Sequence, residues 1–262
     1  MKGIRKYKSS ALITGASSGI GKDFAYELAK HGYSLTLIAR DLRRLNEIKS
    51  DLESKYKVQV EVNSKDLSKN SDIKDLVEGL KTKDYGLVVL AAGYGTGGQF
   101  HTLDLESELR MVDVNCRSVV QICHQFIQNR KDNTPRGLVL FGSLVGFQGV
   151  PWTSTYAATK AFIQSFAEAI SGEYKNKGID VISVAPGPVK TNFADRAGMT
   201  MGNAQSPDGI AKEVLSQLGK TVTVRPGFLS KFLGYSLITL PRNLRTFVLK
   251  QIMGQMVFGG KG

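Results

Sequence analysis

The feature that most limits this chain is an alternation. Short apolar runs rich in branched residues fall at 11–14, 35–38, 58–62, 87–91, 138–141, 181–184 and 222–224. Between them lie longer segments with helical spacing and polar faces, at 20–30, 41–54, 73–80, 106–130, 156–174 and 207–218. Strands alternating with helices of this length make βαβ units, and near-continuous apolar runs mean strands covered on both faces. An α/β fold with a parallel sheet is predicted. No linker, low-complexity stretch or fixed-period repeat divides the 262 residues, so a single domain is expected. Residues 1–227 carry the sheet and the chemistry, and 228–262 form a basic amphipathic extension of the same domain.

The net charge of +12 resembles a nucleic-acid signal only until it is located. Lys2, Arg5, Lys6 and Lys8 open the chain, and from Val214 onward seven bases stand without an acid. The stretch between is nearly neutral, whereas a nucleic-acid reader carries its basic stripe on the folded body. Nucleic acid is therefore not an expected partner. The basic start leads into no apolar stretch or cleavage site, so a secretory leader is not expected, and no run approaches the ~18 residues of a spanning helix. Cys116 and Cys123 share one helix and close no loop, which points to a reducing, cytoplasmic setting. Three scattered histidines and no Cys-x-x-Cys leave no metal site to expect.

The first predicted strand runs into Thr14-Gly15-Ala16-Ser17-Ser18-Gly19-Ile20-Gly21 and then a helix. A turn this tight needs residues without Cβ, and the helix N-terminus after it offers free N–H groups to a pyrophosphate. The same letters satisfy Gly-x-Ser-x-Gly, the nucleophile elbow of hydrolases. That chemistry needs a later histidine, and His31, His101 and His124 all lie in the first half. The second strand ends at Ala39 and Arg40, where an NAD site would hold a carboxylate for the ribose hydroxyl. Arg40 and Arg44, with Arg43 between, match a 2′-phosphate in charge and shape, so NADP(H) is expected. Asp41 keeps open the alternative that these arginines only decorate a solvated helix start.

Tyr156 and Lys160 stand at i and i+4 on one helix face, and so do Tyr26 and Lys30. Their company separates the two pairs. Ser143 lies thirteen residues before Tyr156, past the strand at 138–141, where open α/β sheets place their ligand crevice. A lysine beside a phenol favours its ionised form, and a serine hydroxyl can donate to an oxygen that gains charge. Taken together, Gly15-x-x-x-Gly19-x-Gly21, Ser143, Tyr156-x-x-x-Lys160 and Pro186-Gly187 resemble the short-chain dehydrogenase/reductase family in order and spacing, over residues ~10–225.

The resemblance implies a doubly wound, seven-stranded parallel sheet of the Rossmann type with helices on both faces. It implies hydride transfer between a carbonyl and an alcohol, with Tyr156 as general acid and base, Lys160 on the nicotinamide ribose and Ser143 on the substrate oxygen. Asn115 takes the family's fourth catalytic position, holding a water that links Lys160 to solvent. Ser17, Ser18 and Ile20 belong to the glycine loop, Asp66 and Leu67 to the adenine contact, and Ala92 and Gly93 to the floor after strand four. Pro186, Gly187, Val189 and Thr191 are placed along the nicotinamide. One departure stands out: where the family reads Asn-Asn-Ala-Gly, this chain reads Leu90-Ala91-Ala92-Gly93 and lacks both amides.

Val145, Trp152 and Phe193 are the candidate substrate-lining residues, with Met199 and Met201 nearby. Their apolar character suits a hydrophobic ketone, aldehyde or acyl chain. The expected activity is thus NADP(H)-dependent carbonyl–alcohol interconversion without metal; a 3-oxoacyl reductase of lipid metabolism and a non-catalytic NADP-binding sensor are the alternatives. A homodimer or homotetramer acting on a small-molecule substrate is the expected assembly. The tail suits peripheral contact with an anionic membrane surface, and equally a pocket cap, a sheet-edge packing element or a subunit interface.

Overall fold

Seven strands form one parallel sheet: β1 Ser10–Thr14, β2 Ser34–Ala39, β3 Val60–Ser64, β4 Leu87–Leu90, β5 Arg136–Phe141, β6 Ile179–Val184 and β7 Thr223–Val224. Their order is β3-β2-β1-β4-β5-β6-β7. Residues 3–130, 133–191, 193–200, 202 and 204–259 are described in this computed structural model. Met201 lies outside them.

Alternate strand residues serve opposite cores, which is why the strands read as continuous apolar runs. On one face Ile13, Leu37 and Val139 pack under α1 (Gly19–Lys30), α2 (Leu42–Tyr56) and α8 (Ile210–Gln217). On the other, Leu12, Ile38 and Leu138 meet α3 (Asn70–Thr82), α5 (Ser118–Gln128) and α6 (Ser154–Tyr174). Full burial of each large aliphatic side chain contributes about 1.5–3 kcal/mol. Cys116 and Cys123 are buried as free thiols.

The helix predicted over 106–130 is interrupted. α4 (Leu105–Val112) passes into a π-turn at Asp113–Arg117, where Ser118 N–H donates to the Asp113 carbonyl five residues back, and α5 follows. Such turns are rare and concentrate at functional sites; this one contains Asn115. The tail forms α9 (Phe228–Ile238) and α10 (Arg242–Phe258), with a break at Pro241, which cannot continue α9. Between β6 and α8 lies the short α7 (Phe193–Ala197). Leu249, Met253 and Val257 of α10 pack on Ala157, Ala197 and Met199 in a third apolar cluster. Among the described residues no helix is long and apolar enough to cross a membrane.

Candidate active site

The strand order reverses at β1, whose neighbours are β2 and β4, and a crevice must open beyond their C-terminal ends. It is a cavity of about 1150 Å³. Its floor is the glycine loop. Gly15 has φ +69°, and a Cβ there would lie 2.8 Å from the Ala91 carbonyl and the Ala92 nitrogen. Gly19 has φ +55° and is pressed by the Thr191 methyl. Ser18 makes no side-chain cap to α1, so the first amides of that helix have no side-chain acceptor and point to the cavity loop. Ser17, Ile20 and Gly21 line the same wall. This cradle fits a dinucleotide pyrophosphate.

Arg40 and Arg44 line the cavity beyond the end of β2, as do Asp66 and Leu67. Burial pushes the Asp66 carboxyl up, but the amide and hydroxyl of Ser68 and the charges of Arg40 and Lys69 hold it below its ordinary range. At the other end the wall holds Ala92, Gly93, Pro186, Gly187, Val189 and Thr191 with Ser143, Tyr156 and Lys160. The structure thus brings these sequence candidates onto one surface.

Lys160 is buried, its Nζ donating to the Phe141 carbonyl at 2.8 Å and lying 5.6 Å from the Tyr156 ring centre. Burial lowers its pKa to about 8. Burial also pushes the Tyr156 phenol up to about 12, with Ser143 in hydrogen-bonding reach pulling the other way. The lysine was expected to lower the phenol. Here its ammonium is held by a carbonyl over the ring face, and desolvation governs the phenol instead. Phe193 tilts against the Tyr156 ring at 5.1 Å.

Asn115 is not on the cavity wall. Its Nδ2 donates to the Tyr94 carbonyl (2.9 Å) and Thr159 Oγ1 (3.0 Å), and its Oδ1 accepts from Tyr94 N–H (3.2 Å). Both amide hydrogens are used, so holding a water would fall to the second lone pair of Oδ1. Trp152 also departs from expectation. Val145 and Phe193 line the cavity, whereas Trp152 does not. It sits at φ +69° after Pro151, and its indole packs edge-on against Phe258 (5.3 Å), with the Lys250 ammonium 5.8 Å from the ring centre. The left-handed turn sends the ring onto α10.

Residues 9–201 match the family model described as short chain dehydrogenase. The chain belongs to the short-chain dehydrogenase family. Its fold and its class, an oxidoreductase of CH–OH groups, follow from that membership. The chain is 28% identical to a 7beta-hydroxysteroid dehydrogenase of Clostridium sardiniense over 86% of its length and 88% of the relative's. It is 32% identical to very-long-chain 3-oxoacyl-CoA reductase-B of Danio rerio, over 80% of this chain and 68% of that one. Among solved structures, the short-chain dehydrogenase from Sphingobium yanoikuyae in complex with NADPH superposes with a TM-score of 0.80 at 26% identity, covering 88% of this chain and 94% of the other.

Two features of the site were left open by the sequence, which offers Arg196 only as a candidate clamp for a substrate carboxylate and the tail as a pocket cap among other roles. Arg196 of α7 faces the cavity near Arg40 and Arg44. Leu233 and Leu237 of α9, with Val248, Ile252 and Met256 of α10, make the tail an apolar wall. The mixed apolar and basic composition of 228–258 marked a surface-active segment without saying which surface it covers.

Proposed function

We propose that this protein interconverts a hydrophobic ketone, aldehyde or acyl carbonyl with its alcohol, using NADP(H), with Tyr156 as the proton donor and acceptor. The observation that carries the reading is the meeting of Tyr156, Ser143 and Lys160 on the wall of a cavity floored by the glycine loop. A bound reduced nicotinamide supplies the hydride. The Tyr156 hydroxyl, kept protonated at neutral pH by burial, gives its proton to the carbonyl oxygen in the reductive direction. Ser143 donates to the same oxygen as it gains charge. Lys160 holds the ribose side and fixes the helix that carries Tyr156. Asn115 acts through others: it clamps the Tyr94 backbone and Thr159, whose hydroxyl donates to the Tyr156 carbonyl at 2.8 Å.

NADP(H) over NAD(H) is supported by the arginines lining the adenosine end and by the NADPH bound to the Sphingobium relative. The apolar tail wall supports a bulky hydrophobic substrate, and the names of the steroid and very-long-chain relatives agree. A 3-oxoacyl substrate is the second reading. Arg110, a cation lining the α4 side of the cavity, could meet an anionic carrier group. A cofactor sensor without turnover would have no need of a serine hydroxyl beside a buried phenol and ammonium. The exposed apolar residues Leu105, Leu109 and Val112 of α4 and Phe162 of α6 support association as a homodimer or homotetramer. In a cytoplasmic setting, peripheral contact with anionic lipid through α9 is part of the reading. Phe228 (84% exposed), Phe232 and Tyr235 share its outer face, and Phe228 and Phe232 stack at 6.3 Å.

Tyr156→Phe removes the transferable proton and nothing else from the ring. NADPH-dependent reduction of hydrophobic ketones of increasing chain length should fall by about 10²–10⁴-fold, while Tyr26→Phe stays near wild type. Near wild-type turnover of Tyr156→Phe would end the proposal.

A further inference from the structure

α7 is too short to be held by its own hydrogen bonds, and its position is set by what flanks it. Just before it, Thr191 presses on Gly19 of the cofactor floor. At its first residue Phe193 covers Tyr156. At its end Ala197, and Met199 beyond it, are buried against α10. Arg196 lies one helical turn from Phe193 and lines the same cavity as Arg40 and Arg44.

The charge balance there is uneven. Arg44 pairs with the exposed Asp41 at 3.4 Å, and Arg40 acts on Asp66. Among the described side chains, which do not include that of Asp195, Arg196 has no carboxylate partner. All three guanidiniums line this one cavity, and burial and then the charges of Arg40 and Arg44 lower the Arg196 pKa. An anion with several acceptor oxygens relieves such a cluster, and a phosphate monoester dianion matches guanidinium forks best.

We infer that Arg196 is a third guanidinium for the cofactor's 2′-phosphate, carried by the substrate-side helix, so that the phosphate end of the cofactor draws α7 and Phe193 over Tyr156. The inference rests on the NADP(H) reading and adds to it. Cofactor choice would be made partly by an element that also shapes the substrate pocket. The arginines near the second strand would then not be the whole of the selectivity.

The test is equilibrium binding to the full chain, with NADPH, NADH, adenosine 2′,5′-bisphosphate and AMP as separate probes. Arg196→Ala should weaken NADPH and the bisphosphate by about ten- to hundredfold and leave NADH and AMP within about twofold. Arg196→Lys should recover part of the loss. With NADPH, the KM for a ketone should rise in Arg196→Ala; with NADH it should not. Arg40→Ala serves as reference. If Arg40→Ala loses NADPH while Arg196→Ala does not, the inference fails and the NADP(H) reading stands. Equal losses for NADPH and NADH would put Arg196 on the pyrophosphate and overturn it too. If the wild type binds NADH as tightly as NADPH, both fall.

Discussion

Two glycines offer the same substitution with opposite expected signs. Gly15 has φ +69°, and a Cβ there would meet three backbone atoms of Ala91 and Ala92 at 2.8 Å, where ordinary contact begins near 3.4 Å. Left-handed backbone costs an alanine about 1–2 kcal/mol. Opening the loop by roughly 0.6 Å against a strand end that cannot bend away costs about 1–3 kcal/mol more. Gly15→Ala should therefore lose about 2–5 kcal/mol, a large part of a domain's usual 5–15 kcal/mol. The displaced loop should also weaken cofactor binding about ten- to hundredfold. Gly172 sits in α6 with nothing within 4 Å of a Cβ, and there alanine should stabilise by about 0.5–1 kcal/mol. Urea denaturation gives both stabilities, and cofactor titration gives the affinities. A Gly15→Ala protein within about 0.5 kcal/mol of wild type, with unchanged binding, would refute the close-approach argument.

Two further outcomes follow from the same structure. The Lys160 pKa falls from 10.5 to about 8 on folding, so the unfolded chain binds more protons between those values and stability should rise with pH from about 8. The gain is at most ~1.4 kcal/mol per pH unit, and above pH 9 the buried thiols Cys116 and Cys123, whose pKa values are raised, act in the opposite sense. Urea midpoints at pH 7, 8 and 9 should show this rise in wild type and not in Lys160→Leu. For the tail, the protein should sediment with anionic vesicles at low salt and detach at high salt, and the pair Phe228→Ser and Phe232→Ser should abolish sedimentation. Equal binding to zwitterionic vesicles at all salts would contradict the charge argument.

How much was legible in the sequence depends on how local each feature is. The strands of the sheet, the glycine loop and the Ser143, Tyr156 and Lys160 trio could be read because a strand's periodicity and a loop's lack of Cβ are written in adjacent residues. β3 begins at Val60 rather than at 58, a shift within the fraying that pattern reading cannot resolve. The π-turn at Asp113–Arg117 was not legible, since the apolar spacing runs through it unbroken; only an asparagine set among buried residues hinted at it. Trp152 was misdirected because a single positive φ decides its side. The roles of Arg196 and of α9 and α10, a pocket cap among those the sequence left open for the tail, depend on where distant segments dock, which no local pattern encodes.

The missing asparagines after β4 show how those distant segments repair what a local motif lacks. With Leu90 and Ala91 in place of amide side chains, the loop after β4 needs its backbone groups satisfied from elsewhere. Ala92 N–H donates to Thr14 Oγ1 at 3.1 Å, so the end of β1 takes one part of the task. Asn115 takes the other, clamping both the N–H and the carbonyl of Tyr94. It sits in the π-turn while its second Nδ2 hydrogen reaches Thr159 in α6. A Cβ on Gly93 would stand 3.0 Å from Asn115 Oδ1 and 3.6 Å from Lys160 Nζ, so the small floor residue is what allows the amide and the ammonium to share that space. The loop, the π-turn and the helix carrying Tyr156 are thereby one hydrogen-bonded unit. A change at Asn115, itself off the cavity wall, would reach Tyr156 through Thr159 and the wall through Tyr94.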